Sequence, residues 1–254
     1  MARVLAISSQ VVYGPVGLNC IVPALQSGGH QVLAIPTILL SNHPGHGKPE
    51  GRATAPSDLT AMISALEKLG AFKNLDAVIT GYFASVEQIE IVAALIKRLK
   101  CKTVLIDPVL GDHGKLYVSQ SIAEAIRDLL VPLATIIMPN AFELSWLTGL
   151  PTQTPEQAVH AAQSLNIAEV IATSIVKSDH ELLTLKIIGG HVEVVTSPME
   201  AKVPNGTGDF LSGLYLAGLL GAKPKSAFAD AMKILKQAIS RSKGTSVLDV
   251  ASHP

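Results

Sequence analysis

The chain has 254 residues, a length that a single α/β domain commonly holds, and its 48% apolar and 16% charged residues supply enough surface to bury a core, which excludes extended disorder. Lys plus Arg and Asp plus Glu are each 20, so the formal net charge is zero, and no dense basic run gives the electrostatic footprint of a nucleic-acid binder. That balance favours small molecules as partners, and Cys20 and Cys101, which form neither a CxxC pair nor a disulfide ladder, fit a reducing cytoplasm.

In chain order, Arg3 to Ile7 reads as a first strand and not as a leader, because the apolar stretch breaks at Ser8-Ser9-Gln10 and no small-residue cleavage site follows. Gln31 to Ile35, Ala77 to Thr80 and Thr103 to Ile106 are further short β-rich runs. Between most of them lie helical spacings such as Leu59 to Leu69 and Val86 to Leu99. Ser41 to Pro56, rich in Gly, Pro and His, has no periodicity and is a candidate flap over a substrate. Thr135 to Met138 and Glu169 to Thr173 extend the strand series, and Leu182 to Ile188 with Val192 to Thr196 flank Gly189-Gly190-His191 as an antiparallel edge hairpin. Two apolar helices, Phe210 to Leu220 and Ser226 to Lys243, close the chain. The most continuous apolar stretch, Leu211 to Ala222, is too short to cross a hydrocarbon core of roughly 30 Å as a helix, so no membrane span is expected. Strands that are apolar throughout and joined by helices need cover on both faces. The expected fold is an α/β/α three-layer sandwich with a mostly parallel sheet, one domain over residues 1–254.

The strongest local signal is Pro204-Asn205-Gly206-Thr207-Gly208-Asp209, just ahead of an apolar helix. Gly206 and Gly208 let the backbone turn its N–H groups inward, and the following helix offers its positive end to an anion. Asp209 at the mouth of that helix is placed to accept a proton from a hydroxyl while the amides stabilise a transferring phosphoryl group. The competing reading is a plain capping turn in which Asp209 or Thr207 satisfies orphan N–H groups. A P-loop is excluded, since Lys48 is followed by Pro49 and Lys115 by Leu116. No Gly-x-Gly-x-x-Gly follows the first strand, which removes the main support for a dehydrogenase.

At this point the chain resembles the ribokinase-like superfamily and, within it, the pyridoxal kinases. Asn205-Gly206-Thr207-Gly208-Asp209 resembles the superfamily's C-terminal signature. The pyridoxal kinase branch is matched by Ser9-Gln10-Val11-Val12-Tyr13-Gly14 with Val16-Gly17, by Ser41-Asn42-His43, and by Thr80-Gly81-Tyr82. Asp107-Pro108-Val109-Leu110-Gly111-Asp112, Tyr117-Val118, Pro139-Asn140 with Phe142-Glu143, and Thr173-Ser174 complete the series in family order.

The resemblance implies a ribokinase-like fold, Mg-ATP as donor, a homodimer, and transfer to the 5′-hydroxymethyl group of a vitamin B6 vitamer; it leaves open whether a monovalent cation assists. It makes Asp209 the base and the Gly206-Thr207-Gly208 backbone the anion hole. Ser9, His43 and Tyr82 would line the pyridine pocket, with Val16 beside the ring. Asp107, Asp112, Asn140 and Glu143 would surround the phosphates and magnesium, with Asp107 and Glu143 on the metal, Thr173 and Ser174 on phosphate oxygens, and Tyr117 near the nucleotide. Ser9 read alone could equally be a helix N-cap, and Asp107 a strand-end carboxylate capping a turn before Pro108. Where many pyridoxal kinases have Thr after Ser-Asn-His, this chain has Pro44, which removes one hydroxyl contact to the substrate. The nearest rival is a hydroxymethylpyrimidine kinase, whose substrate is also a flat heteroaromatic primary alcohol. A rival of another class is a nucleotide-binding regulator without turnover.

Overall fold

In the computed structural model, which describes residues 1–200 and 202–251, the chain opens with β1 (Arg3–Tyr13), α1 (Leu18–Ser27), β2 (Gln31–Asn42) and β3 (Gly51–Ala53). It continues through α2 (Pro56–Lys68), β4 (Ala77–Thr80), α3 (Val86–Leu99), β5 (Thr103–Ile106) and a small pair, β6 (Gly111–Asp112) with β7 (Lys115–Leu116). α4 (Gln120–Ala125), β8 (Ile136–Ile137), α5 (Ala141–Thr148) and α6 (Pro155–Ser164) lead to β9 (Glu169–Ser178), β10 (Glu181–Ile188) and β11 (His191–Pro198). The helices α7 (Thr207–Leu219) and α8 (Ala227–Arg241) follow.

The main sheet has the order β11-β10-β9-β8-β5-β4-β1-β2-β3. From β2 through β9 the pairs are parallel, while β9–β10, β10–β11 and β2–β3 are antiparallel. The expected α/β/α sandwich with an edge hairpin is present. Its layers follow from the pleat, which sends alternate residues to opposite faces. Leu5, Ile7, Val78, Val104 and Ile106 pack with Leu59 and Ile63 of α2 and Ile89 and Val92 of α3. Val4, Ala6, Ile79 and Leu105 pack with Ile21 of α1, Phe210 and Leu214 of α7, and Phe228 of α8. Burial on both faces is why residues 4–7, 77–79 and 104–106 are unbroken apolar runs. Among the described residues, no helix is long and apolar enough to cross a membrane.

β1 is flanked by β2 on one side and β4 on the other, so chain order reverses there. In open α/β sheets such a switch point opens a crevice at the carboxyl ends of the strands. β1 and β2 both run past the ends expected from sequence, to Tyr13 and Asn42, because their last residues keep pairing after they leave the core. The pairing register slips between Ser8↔Pro36 and Gln10↔Leu39, where Pro36 has no N–H for the ladder. The segment expected to be a structureless flap folds back on β2 through β3, with a short 3₁₀ turn at Pro44–His46. His191, expected in the hairpin turn, is the first residue of β11, leaving Gly189-Gly190 as a two-residue loop.

Candidate active site

Gly206 precedes α7 with φ of 93°. A Cβ there would collide with the Pro15 carbonyl and lie 3.0 Å from Cys20 Sγ, so the left-handed turn and its packing both require glycine. Gly206, the residue at the N-cap of α7, has no side chain with which to cap the helix. The first-turn amides of α7 lie at the positive end of the helix. Gly208 lies within the helix without a positive φ, and no atom comes within 4 Å of a Cβ built on it. The space over Gly208 is open.

Asp209 sits in the first turn of α7 and accepts a hydrogen bond from the Gly17 N–H, at the mouth of α1. Its Oδ1 is 3.7 Å from where a Cβ on Gly81 would be, which puts the carboxylate at the carboxyl end of β4. Burial outweighs the Gly17 bond and pushes its pKa up to about 6.

Asp107, the first residue after β5, is buried. Burial, then the nearby Asp209 and Glu143 carboxylates, raise its pKa well above the ordinary range, against hydrogen bonds from Ser212 and the Val109 N–H. Val109 has φ of 47°, an outlier for a β-branched residue, in the loop that turns these amides onto the carboxylates. Glu143 Oε1 accepts from the N–H of Leu110 at 2.7 Å and of Gly111 at 3.4 Å, and Oε2 from Asn140 N–H at 2.9 Å. Asn140 Oδ1 in turn accepts from Glu143 N–H at 2.9 Å, a capping box that starts α5. Burial pushes Glu143 up to about 7 despite its amide bonds. Asn140 also donates to the Gly111 carbonyl at 2.8 Å and bridges to Thr173.

Ser174, next to Thr173, is exposed with φ of 57°. Asp112 is half-buried and accepts from His113 N–H at 2.7 Å. Tyr117 is 64% exposed and donates its N–H to the Leu110 carbonyl at 2.8 Å. Its phenol pKa is raised by burial and then by Asp112 and Glu143.

On the other side of Asp209, the Ser8 hydroxyl accepts from Tyr82 N–H at 3.1 Å and Thr37 Oγ1 donates to the Tyr82 carbonyl at 2.7 Å. Tyr82 is half-buried, and burial raises its pKa. Ser9 lies in β1, not at a helix cap, and Gly17 packs so closely on it that a Cβ there would strike both its carbonyl and its hydroxyl. Val16 is buried beside it.

His43 is half-buried, accepts from Gly45 N–H at 3.1 Å, and has its pKa lowered by burial and then by His46. The His46 ring lies 5.2 Å from Tyr13 and 6.3 Å from His43. A Cβ on Gly45 would come within 2.7 Å of Asn205 Nδ2, so the flap tip rests on the residue before Gly206.

The predicted residues therefore lie along the carboxyl edge of the sheet. His43 follows β2, Ser9 is in β1, Tyr82 follows β4, Asp107 follows β5, Asn140 follows β8, and Thr173 and Ser174 are in β9. Four strand steps separate β1 from β9, or roughly 19 Å, enough to seat an acceptor at one end and the nucleotide at the other. Sequence reading assigned no role to Ser8, Gly17, Gly81 and Ser212, which hold the assigned residues in place. The glycines after β1 and β4 were the available signal.

The family model described as phosphomethylpyrimidine kinase matches residues 50–250. A pyridoxine/pyridoxal/pyridoxamine kinase of Bordetella avium is 35% identical over 93% of this chain and 84% of its own length. The crystal structure of pyridoxal kinase from Entamoeba histolytica superposes with a TM-score of 0.92 at 28% identity, covering 98% of this chain and 92% of that one. The pyridoxal kinase from Leishmania donovani, in complex with ADP and pyridoxine, has a TM-score of 0.91 at 27% identity, covering 98% and 93%.

Proposed function

The chain belongs to the phosphomethylpyrimidine kinase family, of ribokinase-like fold, and from that premise we propose that it phosphorylates the 5′-hydroxymethyl group of pyridoxal with Mg-ATP as donor. The observation that carries the reading is Asp209, half-buried in the first turn of α7 beside the switch-point crevice, with its pKa pushed up to about 6. Asp209 takes the proton of the acceptor hydroxyl as its oxygen forms a bond to the γ-phosphorus and the bond to the ADP oxygen breaks. The Gly206-Thr207-Gly208 amides and the helix end stabilise the charge on the equatorial oxygens. Ser9, Val16, His43 and Tyr82 hold the ring; Asn140, Thr173, Ser174, Asp112 and Tyr117 serve the nucleotide.

Magnesium fits this donor set. Asp107 and Glu143 are buried and Asp209 is half-buried, and burial, followed by the nearby Asp209 and Glu143 carboxylates, raises the pKa of Asp107. Among the described residues, no three His, Cys, Asp or Glu side chains converge as direct ligands, so Asp107 and Glu143 would hold the ion through water while phosphate oxygens complete its shell. When bound, the ion neutralises charge on the β- and γ-phosphates. We read the enzyme as cytoplasmic, as one domain and as a homodimer; Val12, Tyr13 and Leu39, exposed at the projecting ends of β1 and β2, support self-association.

A second reading, hydroxymethylpyrimidine as acceptor, is favoured by the description of the matching family. A coupled assay with pyridoxal, pyridoxine, pyridoxamine and hydroxymethylpyrimidine, with and without a monovalent cation and with product masses measured, separates the two. Pyridoxal should have the highest kcat/KM, and a clear preference for the pyrimidine would overturn the vitamer assignment while leaving the kinase standing.

A further inference from the structure

Gln88, in the first turn of α3, is fully buried and lies outside the set of residues that face the ligands. A buried primary amide must place two N–H donors and a carbonyl acceptor, so where they go defines what the residue does. Its Nε2 donates to the Thr37 carbonyl at 2.8 Å and to the Thr54 carbonyl at 2.7 Å, and its Oε1 accepts from Ala84 N–H at 3.0 Å. Thr37 is the last β2 residue before the segment that leaves the core, and Thr54 follows β3, where that segment returns. Ala84 belongs to the loop carrying Tyr82.

The remaining bonds close the circuit. Thr54 N–H donates to the Thr37 carbonyl at 2.9 Å, and Thr54 Oγ1 donates to the Pro36 carbonyl at 2.6 Å. Thr37 Oγ1 holds the Tyr82 carbonyl, and Ser8 holds the Tyr82 N–H. At the far end of the same excursion, Gly45 rests against Asn205 and His46 against Gly14. One side chain thus pins both roots of the flap to the loop on which the aromatic wall of the acceptor pocket is mounted.

We propose that Gln88 is a positioning residue for acceptor recognition, fixing the angle at which residues 38–53 leave the sheet relative to Tyr82. The inference rests on the assignment of that crevice to the acceptor alcohol. Gln88 touches no part of the nucleotide half, where Asp107, Asn140 and Glu143 are held by a separate set of backbone amides. Its removal therefore acts on one substrate and not the other.

The test combines steady-state kinetics with amide hydrogen exchange on the full chain, in wild type, Gln88→Leu and Thr37→Val. For Gln88→Leu the KM for pyridoxal should rise about tenfold while the KM for ATP stays within about twofold, since the three partners that lose their bonds lie at the two flap roots and in the Tyr82 loop. Exchange protection of residues 38–54 should fall by about tenfold or more, with the amides of β5 and α7 unchanged. Thr37→Val keeps Gln88 and breaks only the tie to Tyr82, and it should raise the pyridoxal KM with little change in flap exchange. If Gln88→Leu does not fold, Gln88→Met, closer in shape and likewise without the amide, takes its place with the same outcomes expected. Equal rises in both KM values, or loss of protection spread evenly over the sheet, would show that Gln88 only supports the core. If wild type phosphorylated no vitamer, the acceptor assignment would fail on its own, while the exchange measurement would still report whether Gln88 clamps the flap.

Discussion

The two ends of the carboxyl edge are built differently. At the nucleotide end, Glu143 is buried, both its oxygens are taken by backbone N–H groups, and it lies in a capping box that starts α5. At the acceptor end, His43 and Tyr82 are half-buried, and the flap between β2 and β3 rests on glycines at its tip. Packing fixes charge geometry where phosphoryl transfer needs it, and the ring is recognised by a segment able to open. Chemistry should therefore respond sharply and specificity gradually, and the following experiments press on that contrast.

Asp209→Asn lies at the junction and should have the largest effect, lowering kcat on the order of 10²- to 10⁴-fold with ADP binding nearly intact. Steady-state kinetics within a few-fold of wild type would mean that another group takes the proton. In wild type, the base works as the carboxylate, so kcat should climb with pH through about 6, the raised value of Asp209.

Glu143 tests the rigid end through stability. Its folded pKa, about 7, lies above its ordinary 4.5, so the folded state holds the proton more tightly. That contribution is fully present below about 4.5 and is lost as pH rises through about 7, on the order of 3 kcal/mol. Thermal melts of the nucleotide-free protein from pH 4.5 to 8 should show this decline in wild type and a flatter profile in Glu143→Gln; identical slopes would contradict it.

The glycines of the anion turn separate backbone need from ligand need. Gly206→Val puts a β-branched residue at φ 93° against Pro15 and should lower stability and nucleotide affinity together. Gly208→Ala meets no atom within 4 Å and replaces a helical glycine. It should hold or raise the melting temperature, by up to about 1 kcal/mol of helix propensity, while weakening ATP binding about tenfold. Undiminished affinity would move the phosphates away from the start of α7.

The smallest effect belongs to the acceptor end. Ser9→Ala should raise the KM for pyridoxal by about tenfold or less and narrow its preference over hydroxymethylpyrimidine, leaving kcat nearly unchanged. Competition kinetics with both alcohols check this, and a matching fall in kcat would place Ser9 in the chemistry.

Periodicity and composition made the layered α/β fold legible, since strands buried on both faces cannot hide their apolar runs, and the Gly-Thr-Gly-Asp turn stood out by its glycines, of which Gly206 alone has a backbone that requires one. The ends of β1 and β2 were not legible: past Ser8 and Thr37 most residues leave the core while the backbone goes on pairing, and pairing leaves no mark on one strand's sequence. α1, with Pro23 inside it, was hidden by its own composition, and α6 went unnamed as well although Thr154 and Gln157 form a capping box at its start. That Asn140 and Glu143 cap a helix and also steady the Leu110-Gly111 turn is a fact of distance between chain segments, as is the hold of Gly17 on Asp209. The sequence by itself determined which residue types were on hand for phosphoryl transfer. Only the tertiary structure decided which carboxylates are drawn out of water, and that burial, by raising the cost of charge, sets the pKa values on which a base depends.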